Sequence, residues 1–270
     1  MNKHTTRAAI VLTLSLCAFA AIGQSKPETI TVPLSRPGDP VSLEIELISA
    51  RIEVIGEDRK DAQFSITMGS GERKIKTPSG VRSLVGGGGS FSVDESDNNI
   101  EIESDAHTTK VTIVARVPRR TDLELSTVND GEIIVRDVTG TLELENANGP
   151  ITVTNVNGSV IAETLNENIN VSFAGVSTSG ATALSSLNGN ITVALPANIG
   201  AEFRIDSAEG EIESDYELDV KASKPTIERS ESRRGASVRV EDVVVATVNG
   251  GGPVIKMKTL NGNIRISKAK

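Results

Sequence analysis

A four-residue phrase recurs through the second half of the chain: a small polar residue, an apolar residue, Asn or Glu, and usually Gly. It reads Asn146-Ala147-Asn148-Gly149, Asn155-Val156-Asn157-Gly158, Thr164-Leu165-Asn166-Glu167, Ser186-Leu187-Asn188-Gly189, Ser207-Ala208-Glu209-Gly210, Thr247-Val248-Asn249-Gly250 and Thr259-Leu260-Asn261-Gly262, and Thr127-Val128-Asn129-Asp130 opens the series. A repeat this dense constrains the fold more than any single motif, since each copy must stack on its neighbours in the same way. Between Gly131 and Glu167 the period is nine residues, through Gly140, Gly149 and Gly158. Asn-Gly reads here as a corner at which the backbone takes positive φ.

After each corner comes an apolar pair two positions apart: Ile133 and Val135, Leu142 and Leu144, Ile151 and Val153, Val160 and Ala162, Ile169 and Val171. Such alternation predicts strands with one buried face. The next apolar residue, Val138, Ala147, Val156 or Leu165, stands an odd step further on and would face solvent in a straight strand. A bend that turns each of them inward accounts for this. The predicted fold is therefore all-β, a single-stranded, parallel β-helix-like β-solenoid of short strands with Asn-Gly corners and two nine-residue arms per coil. A β-sandwich of Asn-Gly hairpins is the alternative.

Outside the repeat the β pattern continues. Val41, Leu43, Ile45 and Leu47 alternate, as do Ile52 and Val54, Phe64, Ile66 and Met68, and Val111, Ile113, Ala115 and Val117. Residues 76–99, with Pro78, Gly80 and the run Gly86-Gly87-Gly88-Gly89, read as a loop around a short Phe91–Val93 strand, and residues 219–234 as a polar loop. The last arm, Ile264 and Ile266, ends four residues before the terminus, so its open edge is expected to support self-association.

Residues 1–23 read as a signal peptide, with Lys3 and Arg7 ahead of an apolar stretch and small-residue cleavage patterns at Ala18-Phe19-Ala20 and Ala21-Ile22-Gly23. The stretch falls short of the roughly 20 residues that span a bilayer, so no transmembrane segment is expected after cleavage. The single cysteine, Cys17, lies within it, which leaves the mature chain no thiol chemistry. Lys3 and Arg7 are two of 28 basic residues; the remaining 26 face 36 acidic ones, a net charge of −10. That sign excludes a nucleic-acid partner, whose phosphates demand a basic face. With no tryptophan, one tyrosine and five phenylalanines, the core must be built from Val, Ile, Leu and Ala.

Residues with chemistry are few. His107 is the only histidine past the leader, and no serine-nucleophile, His-x-x-x-His or Cys-x-x-Cys pattern occurs. Glu101, Glu103 and Asp105, and Glu209, Glu211, Glu213 and Asp215, alternate along strands and read as solvated faces, with Ca²⁺ ligation as the functional alternative. Tyr216 offers a lone aromatic surface for sugar, and Lys221, Lys224, Arg229, Arg233 and Arg234 a basic loop. No residue is assigned a catalytic, metal or cofactor-binding role, and no cofactor is expected.

The segments Ala50-Arg51-Ile52-Glu53-Val54 and Val111–Pro118, with the recurring Leu187-Asn188-Gly189-Asn190-Ile191 and Leu260-Asn261-Gly262-Asn263-Ile264, resemble the exported bacterial β-strand-repeat proteins called putative adhesins, a domain-of-unknown-function group. The resemblance spans residues 30–266 as one domain. It implies a β-solenoid at the cell envelope or outside the cell, and it carries no catalytic residues. The expected function is that of a non-enzymatic structural or adhesion-type protein with a surface protein or glycan as partner. A calcium- or polysaccharide-binding module, and then a polysaccharide-cleaving enzyme, are the alternatives.

Overall fold

The computed structural model describes residues 27–68, 73–76, 83–86, 89–104, 110–129, 131–178, 180–221, 226–232, 235–241 and 243–269. Their regular elements are all β-strands. The apolar pairs lie where alternation puts them: Ile133, Val135, Leu142, Leu144, Ile151, Val153, Val160, Ala162, Ile169 and Val171 are buried. Phe64, Phe91, Phe173 and Phe203 are the largest side chains wholly inside.

Strand Ile151–Thr164 shows how the wall is made, because it runs unbroken for 14 residues through a position that the period marks as a corner. Its first half lies between Ile133–Arg136 and Ile169–Val176. Its second half lies between Thr139–Asn146 and Thr182–Ser186. These pairings are parallel, and the partners Ile133, Ile151 and Ile169 recur every eighteen residues. At the bend, Asn157 pairs with Thr139 on one side and Gly175 on the other.

Because this bend stays hydrogen-bonded, the strands join a single 22-stranded mixed sheet. The sheet curls through 310° round an axis and closes almost completely into a barrel. This corrects both the expected β-solenoid and the β-sandwich alternative. Arms read as separate faces meeting at breaks are parts of one curving wall, and a curving sheet removes most of its own edges.

Strand order departs from chain order at both ends. Val41–Leu47 lies between Asn99–Ser104 and Thr121–Thr127, and Ala50–Glu57 between Val111–Pro118 and Ile133–Arg136. Likewise Val254–Asn261 lies between Thr182–Ser186 and Ala201–Glu209, and Ile264–Lys268 between Ile191–Leu195 and Ile212–Ser214. The C-terminal arm is thus paired on both sides, which removes the open edge on which the expectation of self-association rested.

Two stretches read as loops also contain strands. Arg73–Lys76, Ser83–Gly86 and Gly89–Ser96 form an antiparallel run onto Asn99–Ser104. Asp219–Lys221 pairs with Val244–Val248, and Thr226–Ser232 forms a separate hairpin with Gly235–Glu241. Polar composition concealed them, since ladder pairing uses the backbone alone.

The four positions of the phrase have four separate tasks. At Asn146, Thr164, Ser186 and Thr259 the first points inward and donates to a corner carbonyl of a neighbouring strand, whereas Asn155, at the opposite corner, is exposed and donates to Asp137. Asn146 Nδ2 donates to Gly131 O at 3.2 Å, Thr164 Oγ1 to Gly149 O at 3.3 Å, Ser186 Oγ to Glu167 O at 3.0 Å and Thr259 Oγ1 to Gly189 O at 3.0 Å. Buried carbonyls need such donors. The third position builds an amide ladder: Asn166 Nδ2 donates to Asn148 Oδ1 at 2.8 Å, Asn188 Nδ2 to Asn166 Oδ1 at 2.9 Å and Asn261 Nδ2 to Asn188 Oδ1 at 2.7 Å.

The fourth position is glycine because a neighbour comes too close. A Cβ on Gly149 would lie 1.7 Å from Gly131 O, one on Gly189 1.9 Å from Glu167 O, and one on Gly262 2.2 Å from Gly189 O. None of these three takes positive φ, contrary to expectation. Positive φ falls at the opposite corner instead, at Asp137 (φ 58°), Asn155 (φ 55°) and Gly158 (φ 149°), and the expectation holds also at Asn249 (φ 51°) and Gly250 (φ 84°).

The second position divides the same way. Val138 and Val156, at the opposite corner, are buried as expected, whereas Ala147 is half-buried and Leu165 exposed. The inward place beside them is already taken by Asn146 and Thr164.

Candidate functional site

The outer face of the wall carries two adjoining features, a block of carboxylates and a line of exposed apolar residues. Parallel pairing places Glu101 beside Glu44, Glu44 beside Glu124 and Glu124 beside Glu143, while antiparallel pairing sets Asp94 opposite Glu101. Five carboxylates therefore stand on five successive strands, where like charges repel. A second row, two residues further along the strands, runs Glu46, Ser126, Glu145 and Glu163.

Glu101 feels this crowding most. Glu103 chiefly, through its charge and a shared hydrogen bond, raises its pKa above the ordinary glutamate value, with burial, Glu44 and Asp94 adding to the rise. A carboxyl whose pKa is raised on folding holds its proton longer in the folded state, so its destabilising effect is present at neutral pH and fades as pH falls through the folded value. Glu101→Gln is accordingly expected to raise Tm by about one or two degrees at pH 7. Melting curves should show that gain vanishing once pH falls below the ordinary glutamate range; a gain independent of pH would exclude charge crowding as its cause.

Carboxylate oxygens of Glu44, Glu46 and Glu124 lie within 4.8 Å of one another. Oxygen ligands of this kind suit a hard cation such as Ca²⁺, but nothing beyond acidic crowding marks the spot. Alternating glutamates in three strands signal these rows in the sequence. Their convergence required the strand order.

Beside the second row runs an open groove of about 870 Å³, with Val128, Ala147, Leu165, Leu187 and Leu260 along it and Glu145, Glu163, Asp206 and Lys258 on its wall. The apolar residues occupy the second position of successive phrases, and corner bonds keep them adjacent: Val128 N donates to Ile48 O, and Leu165 N to Ala147 O, both at 3.2 Å. Among the described residues seven large hydrophobics are exposed; Ile48, Val128, Leu165, Leu187 and Leu260 are five of them, so exposure is concentrated on this line. Asn146 lines the groove beneath Ala147 and is buried, and its Oδ1 has no hydrogen-bond partner among the described residues.

The residues singled out from sequence are dispersed. Asp105, His107, Lys224, Arg233 and Arg234 lie outside the described residues. Glu211 and Glu213 flank Ile212 on the terminal strand Ile212–Ser214, where Arg265 bridges Glu213 (2.6 Å) and Asp215 (3.0 Å). Tyr216 is not a sugar platform. It is buried, its hydroxyl donates to Leu195 O at 2.7 Å, and Lys268 Nζ sits 5.2 Å from its ring centre. Burial first, and Asp215 second, push its phenol pKa up.

No protein-family model matches the chain. No curated protein matches it either. Among solved structures, a putative cell adhesion protein from Clostridium sporogenes aligns over 90% of this chain and 100% of its own, at 10% identity and a TM-score of 0.47. A putative adhesin from Bacteroides fragilis aligns over 90% and 97%, at 13% identity and a TM-score of 0.30. Likeness at this level decides neither family nor function, so the resemblance to putative adhesins stays at the level of names.

Proposed function

We propose that the chain is an exported, non-enzymatic scaffold of the cell envelope or the extracellular space, an adhesion-type module that holds a protein or glycan partner on its outer wall. The observation that carries this reading is the concentration of exposed apolar side chains on one corner line of an otherwise polar surface, a pattern that marks interaction sites in soluble proteins. A wall tied by buried hydroxyl contacts and an amide ladder keeps such a line straight without further support. The leader-like residues 1–23 support export.

Polysaccharide cleavage is the weaker reading. It calls for two carboxyl groups facing each other across a cleft, one of them with a raised pKa. Glu213 instead lies on the edge strand Ile212–Ser214, ion-paired to Arg265, and Glu211 immediately precedes that strand. The test is a panel of immobilised glycans and envelope proteins, read for retention by interferometry and for released products by mass spectrometry. Retention without products is expected. Turnover of any glycan, abolished by Glu213→Gln, would overturn the reading.

A further inference from the structure

We infer that the groove along Val128, Leu165, Leu187 and Leu260 is a docking site for an amphipathic α-helix whose basic residues lie at one end. This rests on the scaffold reading above and names the partner's chemistry. Three observations select the occupant.

The first is spacing. Apolar side chains recur once per strand along the groove, at about 4.8 Å. A helix presents its apolar stripe about every 5.3 Å, at heptad spacing and 1.5 Å per residue. Over four steps the two ladders drift apart by only about 2 Å, within the reach of leucine side chains. An extended peptide shows one face every 6.7 Å or so, and drifts by most of a further strand spacing at each second step.

The second is backbone saturation. Five strands that line the groove are paired on both sides, Thr121–Thr127, Thr139–Asn146, Ile151–Thr164, Thr182–Ser186 and Val254–Asn261, and the sixth, Ala201–Glu209, has its second partner only over Ala201–Ile205. Along the Val128–Leu260 line strand addition therefore has no edge to use, which leaves the helix-in-groove mode of peptide recognition there.

The third is charge. Glu145 and Glu163 border the Val128–Leu165 half and form no ion pair among the described residues, with Glu124 and Glu143 behind them. At the other half Lys258 is already paired with Asp206 at 2.6 Å. The wall is thus acidic at one end and neutral at the other, so the helix must carry lysine or arginine over Glu145 and Glu163 and none over Lys258. Complementary charge placed this way sets the direction in which the helix lies.

The test uses the mature chain and a labelled designed peptide of about 16 residues, with leucines at heptad spacing and lysines flanking the stripe in one half, read by fluorescence anisotropy. Leu165→Ser with Leu187→Ser should weaken binding at least tenfold. Both leucines are about half exposed, so the urea midpoint should not move. Glu145→Lys with Glu163→Lys should weaken the basic peptide by a similar factor and strengthen a peptide bearing glutamates there, an exchange that misfolding cannot imitate.

Equal binding of a scrambled peptide, or no binding of the basic helix, would overturn the inference. So would self-association of the wild-type chain that Leu165→Ser abolishes, since the occupant would then be a second copy. If the peptide fails while the chain is still retained on the glycan and protein panel, the groove assignment falls and the scaffold reading stands. Failure of both removes both.

Discussion

Gly149→Ala is expected to destabilise the protein by about 3 kcal/mol, the upper end for overpacking a closed interior. The new Cβ would sit 1.7 Å from Gly131 O and 2.6 Å from Asn146 Nδ2. The first is backbone of the neighbouring corner, two residues ahead of strand Ile133–Arg136, and the second belongs to a buried amide that donates to the same carbonyl. Neither can move aside without parting adjacent strands. Gly250 provides the contrast, because it takes φ 84° and an alanine methyl there would meet nothing within 4 Å. Alanine at that position incurs only the left-handed backbone penalty of about 1–2 kcal/mol, and asparagine, which tolerates that region, should recover part of it. At Gly149 asparagine should recover nothing. Urea midpoints of the four single variants separate the two causes, and rescue of Gly149 by asparagine would show that backbone conformation governs that corner after all.

Much of the wall was legible in the sequence because strand alternation is local. Ile151 and Val153 face inward in the structure for the reason read from their spacing. The corners were not legible to the same depth. Nine-residue spacing gives 146–149 and 155–158 the same appearance, and glycine comes close to a carbonyl at both, yet only the second corner takes left-handed backbone, at Asp137 and Asn155. That difference arises only when strands are stacked. Closure was hidden for a related reason, since hydrogen bonding of Asn157 to both neighbours leaves no mark on side-chain alternation.

The candidate site was partly visible as well. Leu165 is one of the apolar residues at an odd step, and the inward direction expected of them holds for Val138 and Val156 but not for Leu165, which faces outward as do Leu187 and Leu260 at the same place in their phrases. Their even spacing from Glu163, Ser185 and Lys258 was the available signal, because residues two apart share a face. The acidic rows could not be assembled from sequence, as Glu44 and Glu124 meet only through the insertion of Val41–Leu47 between later strands. Tyr216 misled for a simpler reason. Its charged neighbours Asp215 and Glu217 suggest exposure, while its ring fills the end of the core.

Truncation after Gly252 is expected to abolish cooperative folding. It removes Val254–Asn261 and Ile264–Lys268, each held between two other strands. Ile255, Met257, Ile264 and Ile266 are buried within them, and at roughly 2 kcal/mol for each such side chain their loss approaches the 5–15 kcal/mol that stabilises a typical domain. The cut would also open Thr182–Ser186, Ile191–Leu195 and Ala201–Glu209 along one side, and unpaired strands of that length invite aggregation. Since these last strands enter between earlier ones, the wall cannot be completed until the end of the chain is available. Deleting residues 226–241 removes a comparable length and should be tolerated, because that hairpin forms a sheet of its own and Lys221 lies opposite Val245, where a tight turn can rejoin the chain. Circular dichroism melts and light scattering of the two deletions distinguish a topological role from simple loss of mass: the hairpin deletion should melt as a single transition near the parent Tm, and the truncation should show none. A folded, monomeric truncation would mean that the C-terminal arm is an accessory to the wall and not the strand pair that completes it.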